Sequence, residues 1–281
     1  MGQMIRLTLM LLILAMWVTG CHLENGAAQS GGTYSMESVE EVTDPLSVIA
    51  IFAHPDDETW ISGTLAKLAD HRVKVFPVYA TSGDAGSDRS GLETSGSELA
   101  LIREQEAIAA SQILGLQSPM FLRFPDGKLN QYPQEVVKQL NAILEQKKPL
   151  AILTFAEGGI TGNNDHRAIS TLTTESFSLN LVYFAISNTR ANQLSNTASE
   201  FGIDYLVEEP VENGAISLRV DVSGYADKRA KAMAEYSTQF PIEMINAFGK
   251  YVETVSIEEL IIVKNNSVIN ALLCYLESEK C

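Results

Sequence analysis

The hydrophobic positions of the chain follow two alternating patterns from residue 46 onward. Short runs of consecutive apolar, largely β-branched residues are typical of strands that are buried on both faces of a parallel sheet. Between them lie segments whose apolar residues recur at helical spacing, which predicts helices with one buried face. The predicted strands are residues 47–52, 73–80, 120–124 and 150–155, and the predicted helices are residues 59–69, 97–114 and 134–146.

This order of elements predicts the fold class. Strands that alternate with helices indicate an α/β fold, and here we expect a Rossmann-like, mainly parallel sheet with helices on both faces. Binding and catalytic sites in such sheets form outside the carboxyl ends of the strands. Residues that directly follow a predicted strand are therefore the first candidates for function.

Two stretches fit this pattern poorly. Residues 188–214 are polar and irregular, which predicts a long surface excursion. Further on, two apolar runs at residues 257–263 and 268–276 are of uncertain type. We therefore expect one domain at residues 46–240, followed by a C-terminal extension of uncertain structure at residues 241–281.

The first 45 residues lie outside the predicted domain. Arg6 is the only charge before the apolar run 7–18, which as a helix would reach about 18 Å, short of a hydrocarbon core of about 30 Å. The VTGC string that ends at Cys21 resembles the lipobox of bacterial lipoproteins. We expect a lipoprotein signal peptide at residues 1–20, lipidation of Cys21, and a flexible tether at residues 21–45. A plain signal peptide and an uncleaved anchor are the alternatives.

This N-terminus also predicts where the protein acts. Acyl chains on Cys21 would hold the domain at a membrane surface without a spanning helix. We therefore expect an exported protein that is lipid-anchored in a bacterial cell envelope. In such an oxidising compartment Cys274 and Cys281 would form a disulfide, or they stay as two free thiols.

Composition and charge narrow the class of protein. A chain of 281 residues with 46% hydrophobic and 20% charged residues is ordinary for a globular protein, which excludes a disordered or collagen-like chain. The formal net charge of −15 repels phosphate backbones, so we expect no nucleic-acid partner. No pattern in the sequence indicates an oligomeric state.

Two of the four histidines lie where a site is expected. His54 follows the first predicted strand in the string AHPDDE, and His166 follows the fourth in the string TGNNDH. By contrast, His22 falls in the tether and His71 in a loop between a helix and a strand, where we expect solvated side chains. His54 and His166 are therefore the candidates for a shared site at the rim of the sheet.

The acids beside His54 suggest what the site binds. Adjacent carboxylates raise one another's pKa unless a cation compensates them, although acids are also common at helix N-termini. A second histidine at another strand end favours a divalent metal ion. Two imidazoles and one carboxylate leave coordination positions open, as catalytic sites do.

Two enzyme classes use such a ligand set. One is the iron(II) oxygenases, whose His-x-Asp and distant His are matched by His54, Asp56 and His166; those oxygenases are mostly antiparallel β-barrels. The other is zinc hydrolases, in which the metal lowers the pKa of water to about 7 and a second acid acts as general base. The pair Asp56 and Asp57 supplies one ligand and one base.

The string HPDDE after a first strand, together with the downstream pair DH, resembles the PIG-L / LmbE-like family of zinc-dependent N-acetylglucosaminyl deacetylases. Other matching strings are TSGD at residues 81–84, REQE at 103–106, FPDG at 124–127 and DHRA at 165–168. The resemblance spans residues 48–239. It implies an LmbE-like fold, an N-acetylated sugar or glycoconjugate as substrate, and Zn²⁺ as cofactor, with Fe²⁺ or another divalent ion as the alternative.

The resemblance also implies roles for particular residues. His54, Asp57 and His166 would bind the metal, and Asp56 would be the general base that takes a proton from the attacking water. The remaining implied residues are Arg103 and Asp84 for substrate binding, and Asn163 and Asp165 at catalytic positions.

One position departs from the family pattern. Asn163 stands where the family has a histidine that acts as an acid or stabilises the oxyanion. An asparagine can donate a hydrogen bond but cannot deliver a proton, and loss of one such donor typically costs about 10²–10³ in rate. The alternative to an active deacetylase is therefore a catalytically impaired, glycan-binding surface lipoprotein that retains the metal pocket.

Overall fold

A computed structural model describes residues 46–264 and 269–277, which belong to one compact unit. Within these residues, seven strands form one sheet and eight α-helices accompany it. In chain order the elements are β1 (Ser47–Phe52), α1 (Ser62–Asp70), β2 (Lys74–Thr81), α2 (Gly96–Leu114), β3 (Met120–Phe124), α3 (Pro133–Lys147), β4 (Ala151–Phe155), α4 (Asn164–Ser176), β5 (Asn180–Ala185), α5 (Asn188–Glu200), β6 (Leu218–Asp221), α6 (Ala226–Ala234), α7 (Ile242–Thr254), β7 (Ile257–Lys264) and α8 (Ile269–Glu277).

The sheet confirms the predicted α/β class. Its strand order is β3-β2-β1-β4-β5-β7-β6, and β1 to β5 pair in parallel, while β7 is antiparallel to both of its neighbours. Helices flank this mostly parallel sheet. The chain runs outward from β1 to β3 and then returns to place β4 on the other side of β1, so the carboxyl ends of β1 and β4 flank a topological switch point.

Local sequence explains several element boundaries. The apolar run of β1 is buried along residues 48–52, as a central strand requires. The predicted stop of α2 at Gly115 is confirmed, because this glycine has φ 79°, the left-handed conformation that ends helices. At the start of α4, the Asn163 side chain accepts a hydrogen bond from the Asp165 backbone N–H at 2.7 Å.

The predicted excursion at residues 188–214 is wrong in its first half, which is helix α5. The pattern was missed because α5 is mostly polar and buries only Arg190, Ala191 and Ala198. These side chains are buried by contact with α7, an element distant in sequence.

The domain boundary that we placed at residue 240 does not match a break in the structure, because β7 lies inside the sheet between β5 and β6. Two acids within β7 obscured the strand. Glu258 is fully buried and accepts hydrogen bonds from the N–H groups of Gly63 and Thr64 at 3.0 and 2.7 Å. Its neighbour Glu259 accepts from the backbone and hydroxyl of Ser187.

The predictions for the N-terminus fall outside the described residues. These are the signal peptide, the tether and the lipidation of Cys21, and Cys281 also lies outside. On α8, Cys274 is disulfide-bonded. Within residues 46–264 and 269–277, no helix combines the length and the apolar character that crossing a bilayer requires.

Candidate active site

The two histidines chosen from the sequence lie side by side at the switch point. His54 follows β1, and His166 lies in the first turn of α4, beyond the loop that leaves β4. The distance from His54 Nδ1 to His166 Nε2 is 3.1 Å, and the ring centroids are 5.1 Å apart. Residues separated by 112 positions in the chain therefore present nitrogen atoms to a common point.

Asp57 completes this set of ligand atoms. Its Oδ1 lies 3.0 Å from His166 Nε2, and its Oδ2 lies 3.6 Å from His54 Nδ1. The backbone N–H groups of Ala53 and His54 donate to Oδ2 at 3.1 and 2.7 Å, which fixes the carboxylate against the end of β1. The ligand atoms of His54, Asp57 and His166 all lie within 4.8 Å of one another.

Hydrogen bonds on the far sides of the rings show that this set suits a cation. The Gly159 carbonyl accepts from His166 Nδ1 at 2.9 Å, which leaves the lone pair of the neutral ring on Nε2. His54 Nε2 faces Asp126 Oδ1 at 3.0 Å and Asp165 Oδ2 at 3.6 Å, which places its proton on Nε2. Both imidazoles thus aim lone pairs at one point beside a carboxylate, the arrangement of oriented metal ligands.

The adjacent acids Asp56 and Asp57 have pKa values that are shifted in opposite directions. Burial would raise the pKa of Asp57, but His166 and then His54 outweigh it and hold that pKa well below its usual range. Burial, followed by the negative charge of Asp57, raises the pKa of Asp56 well above its usual value. Because the two pKa values are shifted apart, the two carboxyl groups suit different roles: Asp57 stays an anion, and Asp56 can carry a proton.

The backbone of Asp56 explains how neighbouring side chains reach different places. Asp56 has φ 105°, a backbone conformation that few residues other than glycine and asparagine adopt. Such a strained conformation costs energy and is found mostly at functional sites. Although it precedes a short 3₁₀ helix, its side chain does not cap that helix. The turn directs Asp57 back toward β1, while Asp56 lines the cavity above the histidines.

Beneath the HPDDE loop lies a buried group that sequence reasoning missed. Glu58 is fully buried and accepts hydrogen bonds from the hydroxyls of Tyr79, at 2.8 Å, and Tyr236. Burial raises the pKa of Glu58 to about 7, although both tyrosine hydrogen bonds act in the opposite direction. These contacts tie the loop to β2 and to the segment after α6. The triple acid string was the signal for this residue, but it did not reveal which acid faces inward.

Two aspartates lie where the segment after β3 meets the segment after β4. Asp126 directly follows β3, and Asp165 lies in the first turn of α4, which comes after β4. The buried Asp165 carboxylate accepts from the N–H groups of Gly127 at 2.7 Å and Leu129 at 3.0 Å. Sequence reasoning noted the FPDG string but gave Asp126 no role, whereas the structure places Asp126 against His54. Its position directly after a strand was the available signal.

The two residues predicted to bind substrate differ in position. Arg103 is buried and lines the cavity, and its guanidinium donates to the carbonyls of Gly83 at 2.8 Å and Ser87 at 3.1 Å. Asp84 does not line the cavity; its Oδ1 accepts from the backbone N–H of Asp126 at 3.0 Å. The structure therefore gives Asp84 a contact that positions Asp126.

The site opens into a cavity of about 340 Å³. Its polar end contains the two histidines, Asp56, Asp57, Arg103, Asp126 and Asn163. Its other end is mostly apolar and is formed by α5, α6, α7 and the segments between them. The apolar lining consists of Leu194, Ala198, Ile203, Tyr205, Met233, Phe240, Met244, Ala247 and Phe248.

Comparison with known proteins agrees with this geometry. The family model described as PIG-L, GlcNAc-PI de-N-acetylase, matches residues 49–177, a stretch that contains both histidines. A diacetylchitobiose deacetylase of Thermococcus kodakarensis is 28% identical over 221 residues, which cover 78% of this chain and 79% of that protein. A 1D-myo-inositol 2-acetamido-2-deoxy-alpha-D-glucopyranoside deacetylase of Actinosynnema mirum is 26% identical over 242 residues. The match covers 74% of this chain and 86% of that protein.

A solved structure shows the same fold. The N,N'-diacetylchitobiose deacetylase from Pyrococcus horikoshii superposes with a TM-score of 0.59 at 24% identity, over 84% of this chain and 88% of that one. The range that the family model matches contains the HPDDE loop and the DH pair, and the resemblance found in the sequence is confirmed. The family model and these relatives make the chain similar to the PIG-L / LmbE-like family of N-acetylglucosaminyl deacetylases.

Proposed function

We propose that this protein is a metal-dependent hydrolase that removes the N-acetyl group from an amino sugar or glycoconjugate. Its homologues are N-acetyl-amino-sugar deacetylases. The single observation that carries the proposal is the convergence of His54 Nδ1, His166 Nε2 and the Asp57 carboxylate at the rim of the sheet.

The donor set suggests which ion the site holds. Two imidazoles and one carboxylate match catalytic zinc sites, and Fe²⁺ or another divalent ion is the alternative. When bound, zinc lowers the pKa of water to about 7 and polarises a carbonyl. His54, Asp57 and His166 are the residues that would hold it.

The other side chains supply proton transfer and orientation. Asp56 takes a proton from the water that attacks the acetamide carbon, and its raised pKa suits it to return that proton to the departing nitrogen. The C–N bond then breaks to give acetate and the amine. The Asn163 Nδ2 donates a hydrogen bond to the oxygen that becomes negative, since Oδ1 caps α4. Arg103, which lines the same end of the cavity, orients substrate oxygens.

We also propose that the chain is exported and held in a bacterial cell envelope by lipid on Cys21. The apolar run 7–18 and the VTGC string support this. A disulfide at Cys274 is a further support, since disulfides persist mainly in oxidising compartments.

The experiment measures metal content and acetate release from N-acetylglucosamine glycosides for the zinc-loaded protein and three variants. Asp57→Ala is expected to lose metal and activity together. Asp56→Asn, which tolerates the left-handed backbone, is expected to keep the metal and lose about 10²–10⁴ in kcat. Asp70→Asn, an acid-to-amide change at an exposed helix end, is the matched control and leaves both unchanged.

Two results would overturn the proposal. One is a metal-loaded wild-type protein that releases no acetate from any N-acetylated sugar, including a protein that binds the sugar without cleaving it. The other is an Asp56→Asn variant that works at the full wild-type rate, which would remove Asp56 from the role of base.

A further inference from the structure

Within residues 46–264 and 269–277, no carboxylate forms an ion pair with one arginine in the cavity wall, Arg190. Arg190, in the first turn of α5, is 4% exposed and lines the cavity. Its Nε donates to the Tyr251 hydroxyl at 3.1 Å. Its Nη1 is buried and meets no hydrogen-bond partner, and no acid within the described part of the chain forms an ion pair with it.

This arrangement is costly unless something else binds there. A guanidinium stays charged at any ordinary pH, and an unpaired buried charge costs several kcal/mol. Buried polar groups are nearly always paired, so an exception calls for a physical explanation. An anionic ligand that pairs with Nη1 would provide one.

The other buried arginines of the cavity have partners of their own. Arg229, which is 1% exposed, places Nε 3.1 Å from Glu258 Oε1, and Arg103 donates to two backbone carbonyls. The Nε atoms of both are also buried without a hydrogen bond, so among the described residues Arg190 differs in forming no ion pair and donating to no backbone carbonyl. Burial lowers the pKa of Arg229, Glu258 raises it, and the nearby charge of Arg190 lowers it further. Among the described residues, Glu258 therefore pairs with Arg229 and forms no ion pair with Arg190.

The cavity connects this charge to the metal end. Arg190, Tyr205 and Asp56 all line this one cavity. A sugar with its acetamide at the histidines would extend its other substituent along the apolar wall toward Arg190. That wall includes Leu194 from the same helix.

We propose that Arg190 is the anion-binding residue of a subsite for the group attached to the amino sugar, so that preferred substrates carry a carboxylate or phosphate there. This inference rests on the proposed deacetylase function. The planar guanidinium pairs with either oxyanion through two parallel hydrogen bonds. The Tyr251 hydroxyl, which accepts from Arg190 Nε, has its own O–H to donate to the same anion.

The test compares three substrates in both anomeric forms: phenyl N-acetylglucosaminide and its 4-carboxy and 4-phosphate derivatives. The wild-type protein is expected to prefer the charged substrates in kcat/KM, and the stronger of the two identifies the anion. In Arg190→Met the ratio of charged to neutral kcat/KM is expected to fall by about 10- to 100-fold. Arg190→Lys keeps the charge but not the two parallel hydrogen bonds, so we expect an intermediate ratio.

A charge-matched control separates the subsite from the overall field of the protein. Arg219→Met removes one positive charge from a side chain that is 51% exposed and outside the cavity lining, and it leaves the ratio unchanged. If Arg190→Met lowers both activities equally, Arg190 has only a structural role and the proposal is wrong. A wild-type protein without any preference for the charged substrates would also overturn it.

Calorimetry on metal-free protein tests the subsite without catalysis. The probes are the deacetylated amines, phenyl glucosaminide and its 4-carboxy and 4-phosphate derivatives. We expect at least one charged amine to bind more tightly than the neutral one, and Arg190→Met to abolish the difference. Absence of acetate release would refute the deacetylase function, whereas equal binding of all three amines would refute the subsite.

Discussion

The Asn163 side chain has one contact in the fold and one role in the proposed reaction. Its Oδ1 accepts the Asp165 N–H and begins α4, which carries His166, and this leaves the amide nitrogen as the donor for the substrate in the proposed reaction. Because an amide cannot release a proton, the proposed reaction assigns delivery of a proton to the departing amine to Asp56. The raised pKa of Asp56 allows one carboxyl group to act first as base and then as acid.

Asn163→His tests this division of labour. If proton delivery limits the rate, the imidazole is expected to raise kcat by about tenfold or more. The variant also loses the cap of α4, so its free energy of unfolding falls by about 0.5–2 kcal/mol. Asn163→Ser is the matched control, since serine caps the helix without supplying an acid; its stability stays close to wild type and its kcat does not rise. Urea unfolding and steady-state kinetics measure both effects, and an unchanged kcat in Asn163→His shows that proton delivery does not limit the rate.

The sequence predicted the residues whose position follows from local rules. His54, Asp57 and His166 each follow a strand end, and parallel strands bring their carboxyl ends to one edge. Arg190 could not be predicted, because its significance depends on the acids that are absent around it in three dimensions. Glu58 was visible as an acid but not as a buried one, since its partners Tyr79 and Tyr236 come from distant segments.

At the level of elements, the HPDDE loop depends on a chain of contacts that begins in α2. Glu106 on α2 accepts hydrogen bonds from the Ser237 hydroxyl, the Thr238 hydroxyl and the Thr238 N–H at 3.1, 2.6 and 2.8 Å. The next residue, Gln239, donates to the carbonyl of Pro55 at 2.7 Å. The segment after α6 therefore transmits the position of α2 to the loop that carries His54 and Asp57.

Glu106→Gln is expected to weaken this chain. The amide keeps one acceptor oxygen but loses the charge-assisted bonds, so we expect the free energy of unfolding to fall by about 2–4 kcal/mol. We also expect kcat to fall severalfold while metal content stays at the wild-type level, because the ligands themselves are unchanged. Glu98→Gln, an exposed acid on the same helix, is the control and should change neither quantity. A stable variant with normal kcat would show that Pro55 needs no support from α2.

The same scale shows why only part of the fold could be predicted. Strands β1 to β4 are mostly apolar, and the sequence predicted each of them. In β7 the buried Glu258 and Glu259 interrupt the run. Backbone N–H groups from other elements pair with both acids, and arginine side chains form ion pairs with them. Helix α5 buries few of its own residues, so its hydrophobic pattern is weak.

On the scale of the whole molecule, the acidic chain keeps arginines in its cavity. The formal net charge of −15 repels long polyanions, while the cavity is lined by Arg103, Arg190 and Arg229 as well as by Asp56, Asp57 and Asp126. A local positive group such as Arg190 favours a small anion that can enter the cavity over a nucleic acid that can reach only the surface. This distribution is consistent with a charged glycoconjugate as substrate.

The last prediction concerns Cys21 and the location of the protein in the cell. A change at Cys21 is expected to alter membrane attachment and not the reaction. Diacylation holds a protein at a bilayer far more strongly than a single acyl chain does. Cys21→Ser is therefore expected to abolish incorporation of labelled palmitate and to move the protein from the membrane fraction to the soluble fraction. Because the residues of the candidate site all lie after residue 46, kcat on small glycosides should be unchanged. Cys281→Ser, a cysteine change at the other terminus, keeps the label. If the Cys21→Ser protein stays in the membrane fraction, the apolar run 7–18 acts as an uncleaved anchor and the lipoprotein assignment is wrong.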